Sequence, residues 1–218
     1  MKARIDKIVA IMLFLVAGYS CNDNGELQND NDEPQNQATV FYYYSGTKIY
    51  LQQITDKIFL KFSPDTNNEL ILSIIGRDQS LKPMYDINNN KNYSIRTIVL
   101  ETKNGKSIPS ATIEAFKAKT EVVSVSYLYQ YNGQGYEGLT DEFVVKLKDT
   151  TSYEQLQELA DKNSCKIGDE NEFTKNQFMM YVSKTSNLDA LQTSNLFYET
   201  GLFEYAEPNF IVFGAFGN

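Results

Sequence analysis

The chain has 218 residues, enough for one large domain or two small ones, and 42% of them are hydrophobic, which is sufficient to build a core. It contains no His, which excludes Ser-His-Asp and Cys-His nucleophilic sites and His-ligated zinc, because each needs imidazole as base or ligand. Two Cys are too few for a disulfide framework or a four-cysteine metal site, and a net charge of −8 without a basic block disfavours nucleic acid, leaving a carboxylate enzyme, a binding module or an inhibitor.

Residues 1–20 read as a secretory signal. Lys2, Arg4 and Lys7 form a positive start, and Ile8 to Ala17 is an unbroken run of ten apolar residues. That run is too short to span a bilayer, which takes about 20 residues. Gly18-Tyr19-Ser20-Cys21 follows and resembles a lipoprotein processing site, although Gly18 stands where Leu is usual and Tyr19 is bulky. The resemblance implies that Cys21 is acylated after Sec export and that the protein is anchored at the outer membrane or cell surface. A plain signal peptide with a chance Cys is the alternative. Residues 21–38 are almost wholly polar after the Cys and cannot offset the entropy of ordering, so they read as a disordered tether. Their Asp and Asn content does not make a calcium loop. Asp86-x-Asn88-x-Asn90 fails as well, with Lys91 where Gly is needed and Thr97 where a bidentate Glu is needed.

Beyond the tether the chain reads as one unit written twice. Thr55 to Phe62 lies over Thr140 to Leu147 at a shift of 85 residues. Ile58, Leu60, Phe62 and Phe143, Val145, Leu147 alternate as strands with one buried face. Thr66-x-x-Glu69 and Thr151-x-x-Glu154 match capping boxes, and each opens a helix: Leu70, Ile71, Ile74, Ile75 in one copy, and Tyr153, Leu156, Leu159, Ala160 in the other. Strands are expected over Ile95–Glu101, Val122–Tyr129, Phe178–Ser183 and Phe203–Phe213. Second helices are expected to start at Ser110 and Ser186, with Tyr198 on the core face of the last one. Arg77–Asn92 and Lys166–Asn176 each have room for one more strand and a turn.

The order β-α-β-β-α-β per copy predicts an α+β chain of two tandem ferredoxin-like units, each an antiparallel sheet with its helices on one face. An N-terminal hairpin, Val40–Tyr44 and Lys48–Gln53 around Ser45-Gly46, leads into the first. The expected division is a first unit over 39–130, a Gly-rich joint over 131–138, a second unit over 139–213 and a tail over 214–218.

The second copy resembles the propeptide of subtilisin-like serine proteases. The resemblance rests on Glu142-Phe-Val-Val-Lys-Leu-Lys148 and on Asn195 to Phe210, whose Ala206-Glu207-Pro208-Asn209 is similar to the Val-Glu-Pro-Asp that closes such propeptides. Phe41 to Tyr44 and Lys48 to Leu51 also resemble the region upstream of that propeptide in secreted, membrane-tethered subtilases. The resemblance implies a non-catalytic inhibitor or folding assistant of a subtilisin-like protease, docked over two helices of the enzyme. Glu204 and Glu207 would then contact the protease. Val212, Phe213, Gly214, Ala215, Phe216, Gly217 and Asn218 would lie in its cleft. No cofactor and no metal are expected, since His is absent, Cys are too few and the calcium-loop spacings fail.

No catalytic domain follows Asn218 in this sequence, and without His the chain is not itself the protease. Action in trans and the remnant of a truncated subtilase gene are both open. So is an adhesion or glycan-binding lipoprotein that reuses the repeat as scaffold, with the Tyr42–Tyr44 cluster as its platform. Cys165 reads as a small core residue or free thiol, since no base accompanies it.

Overall fold

A computed structural model describes residues 39–85, 96–131 and 134–213. Strand β1 (Thr39–Tyr44) turns through Ser45-Gly46 into β2 (Thr47–Phe62), and the two pair in register. Both turn residues have positive φ, 47° and 80°. A two-residue turn with left-handed backbone at both positions matches the twist of antiparallel strands. Then come α1 (Asn68–Ile75), β3 (Leu81–Pro83), β4 (Thr97–Thr102), α2 (Ser110–Lys117) and β5 (Val122–Tyr131). The second half runs β6 (Gln134–Leu147), α3 (Tyr153–Lys162), β7 (Cys165–Glu170), β8 (Gln177–Val182), α4 (Ala190–Glu199) and β9 (Phe203–Phe213).

Helices α1, α3 and α4 start where a side chain satisfies their free N–H groups, and the residue that does so is not the expected one. Asn67, not Thr66, caps α1 and accepts from the Leu70 N–H at 2.8 Å. Thr66 is instead buried in the preceding turn, its own N–H bonded to the Ser63 carbonyl. Ser152, not Thr151, forms the capping box of α3 with Gln155, because the Thr151 hydroxyl is donated to the Leu202 carbonyl at 2.7 Å. Asp189 with Gln192 caps α4 in place of Ser186, and α2 starts after Pro109 with no side-chain cap, so Ser110 is already its first helical residue. Tyr153, expected in the core, is 47% exposed, since it begins its helix on the solvent side.

The expectation of two tandem ferredoxin-like units is overturned. All nine strands among the described residues belong to one antiparallel sheet, ordered β3-β4-β2-β5-β6-β8-β7, with β1 paired to β2 and β9 to β6. The physical cause is the β5–β6 connection. Instead of a joint between two sheets it closes a hairpin, with Tyr131 opposite Gln134 and Leu128 opposite Gly138, so the hydrogen-bond ladder runs from one half into the other. The described residues accordingly form a single compact unit.

The repeat detected in the sequence has a structural meaning within that sheet. Thr55-Asp56-Lys57 bulges out of the β2–β5 ladder between Ile54 and Ile58. Thr140-Asp141-Glu142 bulges out of the β6–β9 ladder between Leu139 and Phe143. A bulge bends its strand and increases the local twist, so each long strand serves two neighbourhoods. After its bulge, β2 turns Ile58, Leu60 and Phe62 toward α1 and α2, where they meet Ile71, Ile74, Ile98 and Leu100. After its bulge, β6 turns Phe143, Val145 and Leu147 toward α3 and α4, against Leu156, Met180, Phe197 and Phe203. Before the bulges, Leu51 and Leu139 share a third cluster with Tyr129 and Leu191 under the hairpin.

Candidate functional site

Strand periodicity puts every second residue of β6 on the face away from the helices. In a sheet covered on one side only, those residues are expected to be polar. Here Val144 stands between Phe143 and Val145, and Met179 and Tyr181 flank Met180. The register brings them together. Val144 lies opposite Met179 on β8 and Glu207 on β9; Lys146 lies opposite Gln177 and Tyr205; Tyr181 lies opposite Glu142 and Lys166.

The result is a sheet face with Val144, Met179, Tyr181 and Tyr205 at its centre, all half-buried, and charged Lys146, Lys166, Glu204 and Glu207 around it. Gly168 on β7 supports the patch. A Cβ there would come within 2.9 Å of the Tyr181 ring and of the Met179 carbonyl, so the glycine lets the tyrosine lie against the backbone. The Tyr205 hydroxyl is held above its usual range by burial and by the charges of Glu207 and Glu204.

The equivalent face of the first half is closed. Phe59, which the shift of 85 residues aligns with Val144, is 0% exposed. It packs with Val99, Leu128 and Phe213, and Tyr85, Tyr136 and Ile211 lie against them. Phe213 belongs to the other half and reaches across, its ring 5.7 Å from that of Phe59. The backbone approach is close too: a Cβ on Gly138 would fall 2.5 Å from the Phe59 ring.

The residues singled out in the sequence are thereby scattered. Glu204 is exposed. Glu207 is half-buried and accepts the Ser45 N–H of the hairpin turn at 3.2 Å. Val212 is 59% exposed and Phe213 only 1%, and both belong to β9, paired with Glu137 and Tyr136 of β6. Ala206 is buried in the second core and Pro208 is buried opposite Phe143. Asn209 ties the bulge, donating to Glu142 at 2.8 Å while its carbonyl accepts the Thr140 hydroxyl at 2.9 Å. Cys21 and Gly214 to Asn218 lie outside the described residues.

Val144, Met179, Tyr181 and Tyr205 were not singled out. The signal was the unbroken apolar run Phe178-Met179-Met180-Tyr181-Val182, longer than a strand covered on one side requires.

Other clusters are consumed by the fold. Tyr43 stacks on Tyr198 at 4.4 Å and donates to Glu199 at 3.0 Å; Tyr42 meets Phe210, and the Lys48 ammonium sits 4.1 Å over Phe41. The Lys48–Phe41 contact lies within the hairpin, and the others fasten it to α4 and β9. Lys61 crosses between the halves to Asp141 at 2.7 Å and Glu142 at 2.5 Å. Burial pulls its ammonium down, but these two carboxylates outweigh that and hold it above its usual value.

A cavity of about 80 Å³ at the same junction is lined by Lys117, Ser124, Ser126, Thr140 and Asp189 among others. It is a fraction of the several hundred cubic ångströms that metabolite pockets occupy, a range reached by two open hollows of the first half, about 660 Å³ beside Leu72, Met84 and Lys103 and about 590 Å³ beside Ile74, Phe116 and Lys119. Burial pushes the Cys165 thiol up to about 11, far from a reactive thiolate. Among the described residues no three His, Cys, Asp or Glu side chains gather as metal ligands, and no helix is long and apolar enough to cross a membrane. No family model matches the sequence, and no curated protein matches it either.

Proposed function

We propose that this chain is a non-catalytic, lipid-anchored docking protein for a subtilisin-like serine protease, acting as its inhibitor or folding assistant. One observation carries the reading: the second half leaves Val144, Met179, Tyr181 and Tyr205 partly open to solvent on a face that the first half seals. Partly exposed Tyr and Met amid a charged rim suit a protein-binding patch. The resemblance of residues 142–148 and 195–210 to subtilase propeptides supplies the partner. Export and acylation at Cys21 would hold the protein at the outer membrane or cell surface. Two acyl chains anchor firmly where one does not, at about 0.8 kcal/mol per buried CH₂.

The test is binding of the mature chain to the subtilisin-like protease encoded nearest its gene, with the protease's active-site Ser replaced by Ala so that the bound chain survives. Micromolar affinity or better is expected from an interface of about 1,600 Å². Met179→Asp should weaken it at least tenfold, about 1.4 kcal/mol, while leaving the denaturation midpoint nearly unchanged. Equal binding by wild type and Met179→Asp would move the contact off this face. Absence of binding at about 100 μM would remove the reading. Cys21→Ser should release the protein from the membrane fraction or block its processing; wild-type protein found wholly free of membranes would refute the anchor.

A further inference from the structure

The turn that joins β7 to β8 runs Asn171-Glu172-Phe173-Thr174-Lys175-Asn176, and its Phe173 is 94% exposed. Single apolar side chains on a surface are ordinary. This one stands apart in degree, since Val212, the next most exposed large hydrophobic among the described residues, is at 59%. Folding removes almost none of the Phe173 ring from water, so the ring adds almost nothing to the stability of the fold.

The backbone that carries it is nevertheless built. The Asn171 side-chain oxygen accepts the N–H groups of Phe173 and Thr174 at 2.8 and 3.0 Å. The Asn171 N–H donates to the Gln177 carbonyl at 2.8 Å, and the Asn176 N–H to the Glu170 carboxylate at 2.6 Å. Asn176 itself has a φ of 60°, a conformation Asn adopts more readily than most residues. The Lys146 ammonium donates to the Lys175 carbonyl at 2.5 Å. Lys146 borders the open face, opposite Gln177 and Tyr205, so this bond ties the loop to the edge of that face. Phe173 is thus held outward at one end of the patch formed by Val144, Met179, Tyr181 and Tyr205, and the cost of ordering its loop is met on folding rather than on binding.

Charge decides among the occupants such a ring could have. Residues 169–176 hold Asp169, Glu170 and Glu172 against Lys175 alone. Anionic lipid headgroups would be repelled, and a second copy would set the same acids against these. A protein pocket that is apolar inside and basic at its rim accepts both the ring and Glu172.

We propose that Phe173 is an anchor of the docking surface: its ring enters an apolar pocket on the bound protease, and basic side chains at the rim of that pocket face Glu172. The inference rests on the docking role proposed for the open face and extends that face to the β7–β8 loop. An enclosed Phe buries about 150–250 Å². A handful of side chains carries most of the binding energy of an interface, and a ring on a preformed loop is suited to be one of them.

The experiment measures calorimetric binding of the mature chain to the Ser→Ala form of the same protease. Phe173→Ala is expected to weaken binding at least tenfold with the denaturation midpoint unchanged, and Phe173→Leu, which keeps an apolar side chain, to recover most of the loss. Glu172→Lys should weaken binding at low salt, with the difference fading at about 0.5 M, where charges are screened within about 3–5 Å. With p-benzoylphenylalanine in place of Phe173, irradiation should cross-link the chain to the protease.

A loss of less than tenfold on Phe173→Ala, where Met179→Asp does weaken binding, overturns this inference and leaves the docking role standing. So does failure of the photoreactive chain to cross-link while it binds. A Glu172→Lys chain that binds as wild type at low salt refutes the basic rim. Phe173-dependent binding to vesicles of phosphatidylethanolamine and phosphatidylglycerol, or Phe173-dependent dimerisation in sedimentation velocity, gives the ring another occupant and also overturns it. Absence of any binding to the protease removes the docking role, and this inference with it.

Discussion

Phe59 and Val144 occupy equivalent places in the two halves and have opposite fates. One is fully buried under Phe213, Tyr136 and Ile211; the other stays half-exposed beside Met179 and Tyr181. Each strand carries apolar helix-facing residues at the same spacing, Ile58, Leu60, Phe62 and Phe143, Val145, Leu147, so the difference does not come from the local pattern. It comes from the single continuous sheet, in which β9 extends past its own half and covers the other. The first half's face is therefore sealed and the second half's stays partly open to solvent.

The comparison is broken most easily at the paired positions themselves. Phe59→Ala should destabilise the protein by about 3–5 kcal/mol, since it leaves a cavity in a sealed face. Val144→Ala should cost no more than about 1 kcal/mol, because solvent already reaches that side chain. Urea denaturation of both variants checks the order, and equal losses would mean that the two faces are equally covered.

Gly138→Ala should follow at about 1–3 kcal/mol, as its methyl group would push into the Phe59 ring from a backbone that cannot retreat. Gly168→Ala on the open side meets the movable Tyr181 ring, although the Met179 carbonyl is just as near. It should cost less stability and act chiefly on partner affinity.

The helix starts sharpen the contrast at a smaller scale. Ser152→Ala should cost about 1 kcal/mol by removing the α3 capping box, while Ser110→Ala in the first half should be close to neutral because α2 has no side-chain cap. Thermal melts of the two variants suffice. A larger loss at Ser110 would contradict the assigned cap.

The smallest effect concerns Glu137, under the hairpin. Burial holds its carboxyl above the usual range, and one oxygen is buried with no hydrogen-bond partner among the described residues. A raised carboxylate pKa means that the contribution of this group is most favourable when it is protonated and is lost as pH rises through the folded-state value. Glu137→Gln should therefore gain on wild type as pH increases from about 4 to about 7. Denaturation midpoints across that range measure it, and a variant that loses ground with rising pH would refute the assignment.

Much of the element order was legible because it depends on residues near one another. The period-two pattern of Ile58-Phe59-Leu60 and the three-and-four spacing of Ile71, Ile74 and Ile75 are decided within a turn or a pleat. Even there the caps moved by one to three residues. Ser, Thr, Asn and Asp compete for the same N–H groups, and turn bonds made by Thr66 and Thr151 decide which of them is left to cap.

The sheet itself was not legible. Gly133-Gln134-Gly135 suits a flexible joint and a tight hairpin equally, and the choice between two sheets and one depends on whether Leu128 meets Gly138. The end of β9 illustrates the same limit from the functional side. Residues 203–213 read as a strand from alternation alone. Nothing local says that Phe213 will bury itself on Phe59, far earlier in the sequence, and so close one face, leave the other open and hold the strand's end in the sheet.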